Sequence, residues 1–216
     1  MHRREVLKVM GVAAAMPALG SRVALSEDAR AGRLKQSVSR WPYAKIPLAA
    51  RAGVPNVIAM FGNRNGRSDL DAITACVEGL SAIKALAEEQ SVTVCVELLN
   101  SKVDHADYQG DHTAFGAAVM ERVGSPRVKL LYDIYHMQIM EGDVIRTIQT
   151  NAKYIGHFHT GGVPGRHELD DTQELNWHAV ARAIADTNFG GFMAHEFVPT
   201  RQPLESLRDA VKTCTV

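Results

Sequence analysis

Short runs of apolar and β-branched residues alternate along this chain with longer stretches whose apolar positions recur every three or four residues. The short runs are 34–41 (LKQSVSRW), 56–62 (NVIAMFG), 93–100 (TVCVELLN), 128–136 (VKLLYDIYH), 154–160 (YIGHFHT) and 191–197 (GFMAHEF), and each reads as a strand. The helical period is clearest between Asp69 and Gln90, where Ile73, Val77, Leu80, Ile83 and Ala87 share one face and Ser68 or Asp69 offers an N-cap. Further helices are expected over 111–123, 141–151, 176–187 and 203–213, the last with Pro203 near its start. Regular alternation of the two patterns predicts an α/β fold, a parallel sheet wrapped by helices. No internal repeat is present.

The spacing fails in one place. Between the first strand, stopped by Trp41-Pro42, and the second, which opens after Pro55, there is too little chain for a comfortable crossover. A parallel connection through a helix needs about a dozen residues or more, and that helix should hold no proline in its interior. Pro42, Pro47 and Pro55 all fall here, although LAARAG reads as the last turns of a helix capped by Gly53.

Alternation within strands puts residues i and i+2 on one face. Cys95, Glu97 and Leu99 share a face, as do Leu131, Asp133 and Tyr135, and Ala194, Glu196 and Val198; His157 and His159 share another. A carboxylate in an apolar strand is costly to bury unless it is paired or bound to metal. Glu97, Asp133 and Glu196, with a histidine from the fifth strand, recur near the C-terminal ends of their strands, where a β/α barrel collects its chemistry. Such a set predicts a divalent cation held mostly by oxygen, Mg²⁺ or Mn²⁺ first and Co²⁺ or Zn²⁺ next. A cation of this kind can hold the two oxygens of a hydroxy-carbonyl substrate and stabilise an enediolate, while Glu97 and Glu196 take and return a proton.

Charge narrows the partners. Lys plus Arg and Asp plus Glu both number 24, and this zero balance argues against a nucleic-acid surface. Cys76, Cys95 and Cys214 have neither zinc-site nor disulfide spacing and read as thiols of the interior. Residues 1–30 read as a leader: Arg3 and Arg4 precede a short apolar run from Val9 to Leu19, as in twin-arginine signals, which implies periplasmic export. That run is too short to span a bilayer, so no stable membrane insertion is expected.

The segments VELLNSKVDHADYQ, KLLYDIYHMQIMEGDVI, IGHFHTGGVPGRHELDDTQELN and HEF resemble the hydroxypyruvate isomerase family, a branch of the xylose-isomerase-like TIM barrels. The likeness runs from about Val54 to the C-terminus. It implies a (β/α) barrel over 31–216 with Glu97, Asp133, His159 and Glu196 as metal ligands and Glu97 and Glu196 as the acid/base pair. It also implies that His136 and Arg166 hold substrate oxygens; Lys102 and His105, just past the Glu97 strand, are further candidates for substrate contact. His157 is expected to support a ligand rather than be one. A full barrel has eight strands and typically about 250 residues, so two βα units look absent near 42–53, leaving about six strands and two open edges.

The resulting expectation is a metal-dependent isomerase interconverting hydroxypyruvate and tartronate semialdehyde or a similar small hydroxy-carbonyl compound. A ketose 3-epimerase on the same site is the alternative among enzymes. From another class comes an exported sugar- or metal-binding relative weakened by the missing segment. The partner in each case is a small molecule, and self-association into a homo-oligomer is compatible with all three.

Overall fold

A computed structural model describes residues 32–38 and 55–216. The leader expected over 1–30 and the cramped stretch 42–53 lie outside the described residues.

Six parallel strands form one sheet: β1 Lys35–Val38, β2 Asn56–Met60, β3 Thr93–Glu97, β4 Val128–Asp133, β5 Ile155–Thr160 and β6 Phe192–His195. Their order is β1-β6-β5-β4-β3-β2, so the first two strands in sequence are the two edges of the arc. The helices between them are α1 Asp69–Glu89, α2 Thr113–Val123, α3 Ile134–Met140, α4 Val144–Asn151, α5 Trp177–Asp186 and α6 Pro203–Thr213. Among the described residues the expected alternation, six strands and parallel sense are observed.

One face of the sheet meets the helices. Val94, Val96, Leu98, Leu130, Tyr132, Phe158 and Met193 point that way and pack with Val119, Ile148, Trp177 and Ile184 in one buried cluster. Burying one such side chain fully is worth about 1.5–3 kcal/mol. Contact is tight where α2 crosses: a Cβ on Gly116 would sit 2.7 Å from Leu130 Cδ2 and 3.0 Å from Leu98 Cδ2. The alternate residues Cys95, Glu97, Leu131, Asp133 and His159 are also buried but lie outside that cluster, on the concave side of the arc.

The β2 edge is unprotected among the described residues. Val57, Ile58 and Met60 are 38%, 49% and 57% exposed, which is unusual for apolar strand residues. In a closed eight-stranded barrel both edges would be paired and such residues covered.

The strands expected over 93–100 and 191–197 are shorter, Thr93–Glu97 and Phe192–His195, and three other boundaries differ for reasons visible in the hydrogen bonds and backbone. The fourth strand stops at Asp133 rather than running to residue 136, because the Asp133 carboxylate accepts the backbone N–H groups of Tyr135 (2.9 Å) and His136 (3.3 Å) and starts α3. Tyr135 is therefore helical and does not share a strand face with Leu131 and Asp133. The helix expected over 141–151 begins only at Val144, since Gly142 and Asp143 adopt left-handed conformations with φ of 65° and 43°. The helix expected from residue 111 begins at Thr113, whose N–H and hydroxyl are both received by the Glu141 carboxylate.

Candidate metal centre and active site

The strand ends converge. Glu97 closes β3, Asp133 closes β4 and His159 is the penultimate residue of β5. Glu196 lies one residue past β6, kept in register by its N–H bond to the Thr160 carbonyl (3.0 Å). Asp133 pairs with His159 and His159 with Ala194 across the ladder, so parallel register alone sets these side chains in neighbouring rows. One ligand atom from each of Glu97, Asp133, His159 and Glu196 lies within 4.8 Å of every other. All four are at most 5% exposed.

His159 Nδ1 is the hub. It is 2.8 Å from Glu196 Oε2, 3.3 Å from Glu97 Oε1 and 3.8 Å from Asp133 Oδ2. Despite these distances it makes no hydrogen bond of acceptable direction. A buried nitrogen ringed by three carboxylate oxygens, with none aligned to it, is what a shared cation would satisfy. Metal bonds of about 2.1 Å place ligand atoms about 3–4 Å apart, so the widest pair of the cluster, within 4.8 Å, has to close by about an ångström. The residues present fit a divalent ion.

Electrostatics point the same way. Burial pushes the Asp133 carboxyl up to about 7, against the pull of Arg166 and His159. Burial works to lower His159, but its contacts with Glu196 and Glu97 and the charge of Asp133 outweigh it and raise the imidazole to about 10. Crowded carboxylates thus recruit whatever positive charge is nearby.

Arg166 supplies some of that charge from the loop after β5. Its Nη2 donates to Glu196 Oε2 (2.5 Å) and to Asp133 Oδ2 (3.2 Å), and its guanidinium lies over the Tyr135 ring, 5.0 Å from the centroid. The loop is closed by Gly162 N–H to His167 O (2.9 Å) and Arg166 N–H to Gly162 O (2.8 Å). It is tied to the segment after β6 by Val198 N–H to Arg166 O (2.7 Å) and His167 Nδ1 to Val198 O (2.9 Å). Glu168 completes the attachment, accepting from Thr200 N–H and Oγ1, Arg201 N–H and Ser206 Oγ.

His136 is fully buried on α3, its Nε2 3.1 Å from Arg166 Nη1 and 3.7 Å from Asp133 Oδ2. Burial and the Arg166 charge lower it to about 3, so the ring is neutral. His105 packs edge-on against it at 5.2 Å between centroids. Lys102 stands apart from the cluster: its Nζ donates to the carbonyls of Ile139 (3.0 Å) and Met140 (2.8 Å), neutralising the C-terminal end of α3. His157 meets Asn56 Nδ2 at 3.2 Å and the His159 ring at 5.2 Å, beside a ligand rather than in the set. The structure therefore groups Glu97, Asp133, His159, Glu196, Arg166 and His136, with His105 at their margin. Sequence reasoning passed over Asn100 and Tyr135; an amide three residues after Glu97, at the end of the expected strand 93–100, was the available signal for the first.

A sequence model described as xylose isomerase-like TIM barrel matches residues 7–214. The chain belongs to that family. A human protein named putative hydroxypyruvate isomerase is 30% identical over 168 residues, covering 75% of this chain and 60% of the human one. D-psicose 3-epimerase of Agrobacterium fabrum is 33% identical over 129 residues, 57% of this chain and 42% of the epimerase. The crystal structure of a family 2 AP endonuclease from Brucella melitensis superposes with a TM-score of 0.66 at 27% identity, covering 71% of this chain and 58% of that one. This member of the xylose isomerase-like family thus spans 60% of the length of its human relative.

Proposed function

We propose that the chain is a metal-dependent isomerase of small hydroxy-carbonyl compounds, with hydroxypyruvate and tartronate semialdehyde as the pair its site suits best. The carrying observation is the convergence of Glu97, Asp133, His159 and Glu196 within 4.8 Å. A bound Mg²⁺ or Mn²⁺ would supply Lewis acidity toward the substrate's oxygens. The rest falls to side chains. Glu97 and Glu196 reach His159 Nδ1 from β3 and from beyond β6, so they flank the same space from two sides. One takes a proton from the hydroxymethyl carbon and the other delivers one to the neighbouring carbonyl carbon, while a hydroxyl proton passes between the two oxygens. Arg166 presents the planar fork that suits a carboxylate.

The test is turnover of hydroxypyruvate with and without chelator, repeated in Glu97→Gln and Glu196→Gln. Activity should vanish on chelation and fall by about 10²–10⁴ in each variant. Normal rates in both variants would end the proposal. Ketose 3-epimerisation is the second reading, supported by the 33% identity with D-psicose 3-epimerase, and a panel of three- to six-carbon substrates separates the two. The exposed β2 edge supports a third, a binding protein with metal affinity and no turnover on that panel.

A further inference from the structure

The hydrogen bonds around Asn100 determine which nitrogen of His136 carries its proton. Asn100 Oδ1 accepts from the backbone N–H groups of Val103 (3.0 Å) and Asp104 (2.9 Å), and its Nδ2 donates to Asp104 Oδ2 (2.6 Å). Turning the amide over would set an oxygen against a carboxylate and an NH₂ against two N–H donors, so its orientation is unambiguous. Tyr135 Oη, donating to the same Asp104 oxygen at 2.9 Å, holds that carboxylate in place. Asn100 itself is fully buried.

Two donors therefore face His136 Nδ1: the Asn100 backbone N–H at 3.1 Å and Asn100 Nδ2 at 2.6 Å. A neutral imidazole has a single accepting nitrogen. With Nδ1 in that role, the proton resides on Nε2. Across from Nε2, at 3.1 Å, is Arg166 Nη1, which can only donate. Treating that contact as a hydrogen bond would need Nε2 to accept, and would leave an Nδ1–H pressed against two donors. With Nδ1 accepting, Nε2–H and Arg166 Nη1 are two donors whose nitrogens lie 3.1 Å apart, a pair that an oxygen bearing negative charge satisfies by accepting from both.

We propose that Asn100 is a positioning residue: its amide and backbone N–H hold His136 as the Nε2–H tautomer, so that Nε2–H and Arg166 Nη1 jointly grip an anionic oxygen of the substrate. The identity of that substrate rests on the isomerase reading above; the tautomer does not. A neutral hydroxyl is matched less well, since it repays two converging donors with less charge. The pair thus favours a carboxylate or enolate oxygen over a neutral hydroxyl.

The experiment is two-bond ¹H–¹⁵N correlation on ¹⁵N-histidine-labelled full-length protein, with and without Mg²⁺, and with His136 assigned from the signals missing in His136→Gln. An unprotonated Nδ1 and a protonated Nε2 support the assignment; the reverse pattern overturns it. The reading needs no substrate, so a protein inactive on hydroxypyruvate still decides the tautomer. In Asn100→Asp a carboxylate replaces the amide donor, and His136 should move to the Nδ1–H form with KM for hydroxypyruvate raised more than kcat is lowered. A folded Asn100→Asp protein that keeps both the Nε2–H signals and the original KM would show that Asn100 positions nothing.

Discussion

Arg166 and Glu196 form an ion pair at 2.5 Å in the middle of the ligand cluster, and the same guanidinium nitrogen reaches Asp133 at 3.2 Å. A permanent cation thus shares two of the carboxylates that a divalent ion would use. Removing it should leave metal binding intact or tighter while the substrate loses its charged contact. For Arg166→Met we expect calorimetric Mn²⁺ affinity at or above that of the unaltered protein, with kcat/KM lower by about 10²–10³. Loss of metal binding in a folded variant would mean that Arg166 organises the ligands rather than competing for them.

Metal binding should strengthen as pH rises. His159, raised to about 10, carries a proton that the ion must displace, and Asp133, raised to about 7, adds a second below neutrality. Apparent affinity should climb between about pH 6 and pH 9, most steeply at the acid end where both groups are protonated. Titration calorimetry in two buffers of different ionisation enthalpy counts the protons released. An affinity flat across that range would contradict the charge balance of the cluster.

Glu168 fastens the Arg166 loop to the segment after β6. Burial works against its charge, but bonds from Ser206, Thr200 and Arg201 hold the carboxyl down at about 2. Its folded value lies below its ordinary one of 4.5, so its contribution is fully present above about pH 4.5 and is lost as pH falls toward 2. Glu168→Ala, which strands several of these donors, should lower unfolding free energy by about 2–4 kcal/mol in urea titration and flatten the acid limb of the stability profile. An unchanged urea midpoint would refute the role.

Gly162 tests the same loop from the inside. A Cβ there would lie 2.3 Å from the Glu168 carbonyl and 3.1 Å from that of His167, backbone atoms that cannot turn aside. Gly162→Ala should open the Gly162–His167 bridge and cost about 1–3 kcal/mol. Because Arg166 lies within that bridge, kcat/KM should fall with stability; full activity at reduced stability would separate the loop from the site.

For the leader we propose twin-arginine export, carried by Arg3 and Arg4 ahead of the apolar run from Val9 to Leu19. Changing both arginines to lysine should confine the protein to the cytoplasm in cell fractionation. Equal periplasmic recovery from the two forms would refute it.

Much of this architecture was legible along the chain because its signals are local. Period-two and period-3.6 patterns reflect which side of a strand or helix meets an apolar layer, and the six strands and the helices over 69–90 and 203–213 follow from them. Glu97, Asp133 and Glu196 were visible for a related reason: a carboxylate near the end of an apolar run is expensive, and three of them in like positions imply a common counter-charge. Tertiary structure decided what depends on partners distant in sequence. The Asp133 side chain, aimed at the backbone of residues 135 and 136, turned an expected strand end into a helix start. Lys102 found the carbonyls of α3 rather than the ligand cluster, and Arg166 came to lie between Glu196, Asp133 and His136 through a loop bonded to a segment some thirty residues on. Composition and periodicity record a residue's preference for apolar or aqueous surroundings, whereas the direction of a hydrogen bond is set only when the chain brings its two ends together.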